Sequence, residues 1–318
     1  MEIIIKEIEK TREEIFFDKF KIKYKSEKLN LWDENIPLVI SYENNLLESQ
    51  SKNFMRTLER NGWEYIFVGE GEVWINFSNR INMYHDVLHD LPSNKIIILS
   101  DGRDVFCCRS PKSYMSKISE IMSLNKIIIS AELFLLTKNN WTEENVENIK
   151  SKNHDYFWQG IPLFNYWKFY NLSENVPRRK YVNAGLISGK SSNVLELFSW
   201  IKMHNYSDDQ LGASTYTNNY PNKVHLDTNA EILHTSTHGV NLGILDIKNQ
   251  RHDGVNFAEL LGHSSYFLHI PGLNGSKGQT FIYNIVNDIL KSYSLHSGYS
   301  HAMYNLGSDN DKYDPCYV

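Results

Sequence analysis

Apolar residues run along this chain in two alternating rhythms. Short, nearly unbroken runs occur at IPLVISYENN (36–45), WEYIFVGEG (63–71), KIIILS (95–100) and NKIIISAE (125–132). Between them lie stretches with apolar residues at three- and four-residue spacing: LLESQSKNFMRTLERNG (46–62), INFSNRINMYHDVLHDLP (75–92) and SPKSYMSKISEIMSL (110–124). The runs predict strands and the spaced stretches predict helices. Gly62 and Pro92 predict where two of those helices stop. Regular alternation of strand and helix predicts an α/β fold around a mostly parallel sheet. Ile96–Leu99 and Ile127–Ile129 carry no polar alternation, which predicts strands covered on both faces.

After Glu132 the pattern loosens. Residues 137–180 are rich in Asn, Lys and aromatics and show no clean period, so they are read as an insertion or lid over the sheet. Order returns with KYVNAGLISGKSSNVLELFSWIK (180–202), read as a strand, a glycine-rich turn and a helix. SDDQLGASTYTNN (207–219) predicts an acidic turn entering a helix. NKVHLDTNAEILHTST (222–237) predicts two short strands, and SSYFLHIPGLNGSKGQ (264–279) a strand ending in a Gly-rich loop. FIYNIVNDILKSY (281–293) has helical spacing. The resulting division is an N-terminal extension (1–35), one main domain (36–293) and a polar tail (294–318), with no internal repeat.

The 318 residues are 41% hydrophobic and 13% aromatic, enough for a large core. A net charge of −5 without a basic stripe argues against nucleic-acid binding. No apolar run reaches the ~20 residues that a bilayer span needs. The charged N-terminus lacks the apolar core of a secretory signal, which leaves the compartment open with a cytoplasmic setting as one reading. The three cysteines form no CxxC, so neither a disulfide framework nor a zinc site is expected.

Candidate chemistry starts at ILSDGRDVF (98–106), where a buried strand ends on Asp101 and Asp104. Ligands of open α/β sheets bind at the carboxyl ends of strands. Two adjacent carboxylates repel unless something positive joins them, and a hard divalent cation carrying phosphate does so. The competing reading is a solvated acidic turn. A second acidic pair, Asp208 and Asp209, precedes Gln210. His269 closes another predicted strand, ahead of Gly272, Asn274, Gly275 and Lys277, a loop whose N–H groups and lysine suit phosphate.

These segments, taken in order, resemble the glycosyltransferase domain of the procollagen lysyl hydroxylases, a GT-A fold that uses UDP-sugars. PLVISYENN resembles its first nucleotide-binding strand, and VGEGEVW (68–74) its LGxGEEW. ILSDGRDVF resembles xVDSYDV, IISAE (128–132) resembles FSAE, and KYVNAGLISG (180–189) resembles FLNSGGFIG. SDDQL resembles an acidic run ending in DDQLF, HLDTNAEILHT (225–235) resembles LDHxxRIFQN, and LHIPGLNGSK (268–277) resembles HGNGPTK. The likeness spans roughly residues 36–280.

The resemblance implies that Asp101, Asp104 and His269 hold Mn2+, with Mg2+ as the alternative ion. It implies that Trp74 stacks near the uracil and that Ser41 contacts the nucleotide. Arg80 stands where the family has a lysine near the diphosphate, and Lys277 with the Asn274 and Gly275 backbone would bind phosphate. Asp208 and Asp209 would hold donor-sugar hydroxyls and face developing positive charge, while Asn183 and Gly185 would shape the sugar pocket. Structural readings stand beside these. Asp208 is equally an N-cap, Trp74 a core aromatic, Asn183 and Gly185 a turn, Arg80 a solvated helix residue, Glu132 a partner for a lysine and Asp227 a turn acid.

The implied reaction adds glucose from UDP-glucose, in an α1,2 linkage with retention, to galactosyl-hydroxylysine of collagen or a collagen-like chain. Rival readings are galactose transfer onto hydroxylysine, transfer to another glycan or sugar, a UDP-sugar hydrolase, and an inactive GT-A binding module. Family members tend to be dimeric and act in the endoplasmic reticulum lumen, so the resemblance leaves a homodimer open for this chain. Three departures bear on specificity. Arg103 replaces the family's nucleoside-contacting tyrosine, Leu135 and Leu136 stand where it has a tryptophan, and segment 137–180 is longer. No HxD with a distant His and Arg suits a 2-oxoglutarate iron dioxygenase, so lysyl hydroxylation is not expected.

Overall fold

The computed structural model describes residues 10–46, 49–107, 109–132, 144, 181–235 and 265–269. Nine strands among them form one sheet: β1 (Leu38–Tyr42), β2 (Glu64–Val68), β3 (Ile96–Asp101), β4 (Val105–Cys107), β5 (Ile127–Glu132), β6 (Tyr181–Lys190), β7 (Val224–Asp227), β8 (Leu233–Thr235) and β9 (Phe267–His269). The order is β2-β1-β3-β6-β5-β8-β9-β4, with β7 also beside β5. β1 runs parallel to β2 and β3, and β5 parallel to β7 and β8. β6 is antiparallel to both of its neighbours and joins these two groups. The architecture is the α/β one predicted, a mixed sheet with parallel groups and flanking helices.

Helices α1 (Arg12–Lys19), α2 (Ser49–Asn61), α3 (Phe77–Asp90), α4 (Tyr114–Ser123), α5 (Ser191–Met203) and α6 (Asp209–Asn219) accompany the sheet. Alternation along each strand splits its apolar residues between two core layers. Ile40, Ile97, Leu99, Ile129 and Ile187 join the layer that holds Tyr84, Val87, Leu197 and Tyr216 of α3, α5 and α6. Val39, Ile96, Ile98 and Ile128 join Phe54, Leu58, Tyr114 and Ile118 of α2 and α4. Both faces are therefore covered, which is why these runs lack polar residues. No helix among the described residues is long and apolar enough to cross a membrane.

Residues 10–35, read as part of an extension, are bound into the main body. Thr11 and Glu14 form a capping box that starts α1. Phe16, Phe20, Ile22 and Leu31 are buried in the same layer as β1 and α3. Lys95, ahead of β3, is fully buried and donates to the Asn30 and Asp33 carbonyls at 2.9 and 2.7 Å, which ties this segment to the sheet.

The glycine-rich turn expected within residues 180–190 is instead continuous strand. The glycines there serve close approach rather than reversal. A Cβ on Gly189 would lie 3.2 Å from side-chain carbons of both Ile127 and Val194, so helix α5 packs tightly over β6. Partners on β6 jump from Ile187, opposite Ile129, to Asn183, opposite Ser130. Residues 184–186 therefore bulge from the β5 ladder, and bulges re-aim side chains at functional edges. The 137–180 segment, the predicted 281–293 helix and the 294–318 tail lie outside the described residues.

Candidate functional site

The carboxyl ends of β3 and β9 bring together residues from distant parts of the chain. Asp101 ends β3, Asp104 follows three residues later and precedes β4, and His269 ends β9 between β8 and β4. His269 Nε2 lies 3.4 Å from Asp101 Oδ2 and 3.4 Å from Asp104 Oδ1. One ligand atom from each of the three lies within 4.8 Å of the others. Asp104 and His269 are buried, and Asp101 is partly open. Burial by itself disfavours charge on His269, but Asp104 and Asp101 outweigh it and push the imidazole pKa up to about 10. The imidazolium thus supplies the positive charge that two close carboxylates demand.

Arg80, from α3, is buried and not a solvated surface residue. One guanidinium nitrogen, Nη1, pairs with Asp101, and the other, Nη2, pairs with Asp209. Its desolvation is outweighed by those two carboxylates, so its pKa is raised and it stays charged. This arginine joins the DxxD acids to the second acidic pair. Asp209 is 2% exposed at the start of α6. Asp208 is the N-cap of that helix, accepting from the Leu211 N–H at 3.1 Å. The two acids therefore divide their work: Asp208 starts the helix, and Asp209 is carried to the Arg80 fork.

Asn183 and Gly185 of β6 complete the group. Asn183 Oδ1 lies 2.9 Å from His269 Nδ1 and accepts from the Gly185 N–H at 2.9 Å. A Cβ on Gly185 would overlap the His269 ring. The bulged glycine is thus the floor on which the imidazole rests, and not a turn. Glu132, at the end of β5, is fully buried and accepts from Asn183 Nδ2 at 3.3 Å and Gln210 Nε2 at 3.1 Å. Sequence reasoning considered it only as a lysine partner. Its proximity to Asn183 follows from strand pairing, which no local pattern encodes.

Two other proposed nucleotide contacts lie differently. Ser41 is fully buried, and its hydroxyl donates to the Ser100 carbonyl at 3.0 Å across the β1–β3 pair. Trp74 is 42% exposed and rests on Tyr42 and Phe77, with ring centroids 5.8 and 5.3 Å away, so it is no core aromatic. Arg103, at the family's tyrosine position, forks onto Glu43 through Nε and Nη2 at 2.8 and 2.6 Å. Asp227 is the turn acid anticipated, accepting from the N–H groups of Glu231, Ile232 and Leu233 at 2.7–3.0 Å. Asn274, Gly275 and Lys277 lie outside the described residues.

The donor set fits a divalent cation. Two carboxylate oxygens and one imidazole nitrogen suit Mn2+ well and Mg2+ acceptably. Two ligands at right angles on an ion with ~2.1 Å bonds are about 3.0 Å apart, close to the 3.4 Å found here.

No protein-family model matches this chain, and no curated protein does. Among solved structures, it is similar to a glycosyltransferase involved in glycosylation of the major capsid of PBCV-1, with 10% identity, 74% of this chain and 93% of that one covered, and a TM-score of 0.38. It is also similar to mouse xyloside xylosyltransferase 1 in its apo form, with 10% identity, 72% and 73% coverage, and a TM-score of 0.31.

Proposed function

We propose that this chain is a metal-dependent glycosyltransferase that takes its sugar from a nucleoside diphosphate donor. The observation that carries the proposal is the meeting of buried Asp104 and His269 with partly open Asp101, joined through Arg80 to Asp209. A divalent cation held by Asp101, Asp104 and His269 would act as a Lewis acid toward a leaving diphosphate. Arg80 orients Asp101 toward that cation and sets its distance from Asp209. Asp209 faces the sugar, where a carboxylate stabilises oxocarbenium-like charge. Asp208 holds the start of α6, and with it Asp209, in register. Buried surroundings strengthen each of these interactions relative to water.

The fuller reading takes UDP-glucose as donor and galactosyl-hydroxylysine of a collagen-like chain as acceptor, with retention at the anomeric carbon. Its support is the ordered motif resemblance. Retention requires no dedicated base, since the leaving phosphate can take the acceptor proton on the same face. No base is therefore assigned.

The test is UDP release in Mn2+ from UDP-glucose and from UDP-galactose, each with and without a galactosyl-hydroxylysine peptide. Peptide-stimulated release from UDP-glucose alone supports the full reading. Release from either donor that the peptide does not alter keeps the donor site and discards the collagen acceptor. No UDP binding and no release with any divalent cation would replace the enzyme by a non-catalytic module of the same fold.

A further inference from the structure

Asn183 stands in the middle of a hydrogen-bonded chain that ends on His269, and its amide can be oriented from chemistry alone. The Gly185 N–H can only donate, so the Asn183 atom 2.9 Å away is the oxygen, Oδ1. The amide nitrogen then faces Glu132 Oε2 at 3.3 Å, where an acceptor is required. Oδ1 can only accept, so the imidazole nitrogen 2.9 Å from it, Nδ1 of His269, carries a proton. A neutral His269 then has its lone pair on Nε2, the nitrogen 3.4 Å from each of Asp101 and Asp104.

Strand pairing imposes this chain. Asn183 pairs with Ser130, and Glu132 pairs with Tyr181, so Glu132 is the diagonal neighbour of Asn183 on the β5–β6 ladder. The bulge after Asn183 turns the Gly185 N–H back onto the Asn183 side chain. Glu132 is fully buried, and burial of a carboxyl group is costly unless its oxygens accept hydrogen bonds. Here one oxygen serves Asn183 and the other serves Gln210.

We propose that Glu132 is a positioning residue for the cation site: it orients the Asn183 amide, which fixes the His269 proton on Nδ1 and presents Nε2 to a divalent cation. The inference rests on the reading of Asp101, Asp104 and His269 as a metal set. Partners one step behind a metal ligand set its tautomer and orientation.

The test measures Mn2+ affinity calorimetrically for the full chain and for Glu132→Leu and Glu132→Gln. It also records the His269 ring-nitrogen shifts in the Mg2+-loaded wild type. Glutamine keeps an oxygen for Asn183 and can offer its amide to a flipped Gln210, whereas leucine offers neither. Glu132→Leu is expected to weaken Mn2+ binding about 10- to 100-fold, with Glu132→Gln within about threefold of wild type. The loaded wild type is expected to show a protonated Nδ1 and a cation-bound Nε2. Unchanged affinity in folded Glu132→Leu, an equal loss in Glu132→Gln, or an unprotonated Nδ1 would overturn the proposal. The wild-type nitrogen shifts decide it even where the leucine variant does not fold. A wild type that binds no Mn2+ would overturn the metal reading itself, and this inference with it.

Discussion

Gly185 lies so close under His269 that a Cβ on Gly185 would overlap the imidazole ring and come within 2.9 Å of Asp101 Oδ2. The smallest possible substitution therefore acts on the cation site without touching a ligand. Gly185→Ala should displace His269, weaken Mn2+ binding at least tenfold, and lower stability by about 1–3 kcal/mol through overpacking. Calorimetry and thermal melts of the variant check this. Wild-type affinity would show that the ring can swing aside and still ligate.

Arg80 spans two carboxylates, which a lysine cannot do with one ammonium. Arg80→Lys should fold yet lose at least tenfold in turnover. Arg80→Met leaves Asp209 buried without that partner and should destabilise the chain by about 3 kcal/mol. Asp209→Asn should keep UDP binding and lose transfer. Loss of UDP binding as well would move Asp209 to the nucleotide side of the site.

The pH dependence follows from His269, whose pKa is raised from 6.5 to about 10. A raised histidine stabilises the folded state fully below pH 6.5, and that contribution is lost as pH rises through about 10. In EDTA, stability should therefore decline between those limits more in the wild type than in His269→Gln. Mn2+ binding must release the same proton, so Mn2+ affinity should rise with pH over this window. Denaturation curves in EDTA and calorimetry in buffers of different ionisation enthalpy measure both. A pH-independent Mn2+ affinity would remove His269 from the ligand set.

Phe16 is 3% exposed and packs on Phe20 with ring centroids 4.8 Å apart. If the first helix belongs to the core, Phe16→Ala should cost about 3–5 kcal/mol, visible as a lowered denaturation midpoint. A change below ~0.5 kcal/mol would return this segment to the reading of an N-terminal extension outside the core.

Much of the fold was legible because β1, β3 and β5 are continuous apolar runs and α2, α3 and α4 follow helical spacing. The candidate cluster was legible because Asp101 ends β3, Asp104 follows it within one turn and His269 ends β9. What local pattern could not reveal was tertiary. β4 has only three residues, too short for any period to register. The reversal of β6 depends on which neighbours it finds, and Gly185 reads as a turn until its contact with His269 is known. Arg80 looks like an ordinary helix residue until α6 brings Asp209 against it. Glu132 shows its role only once Asn183, from another strand, lies beside it.

His269 rides on β9, the last described strand, hydrogen-bonded between β8 and β4, while the acids it meets belong to an early strand and its following turn. A chain under synthesis therefore holds the acids long before it holds the imidazole. Until β9 inserts, Asp101 and Asp104 lie near each other without the imidazole between them, and long-range strand pairing is a slow event in folding. On the proposed reading, competence to gather a cation with all three residues is thereby tied to the insertion of β9. Binding of the ion would then serve as a readout of when that strand has locked.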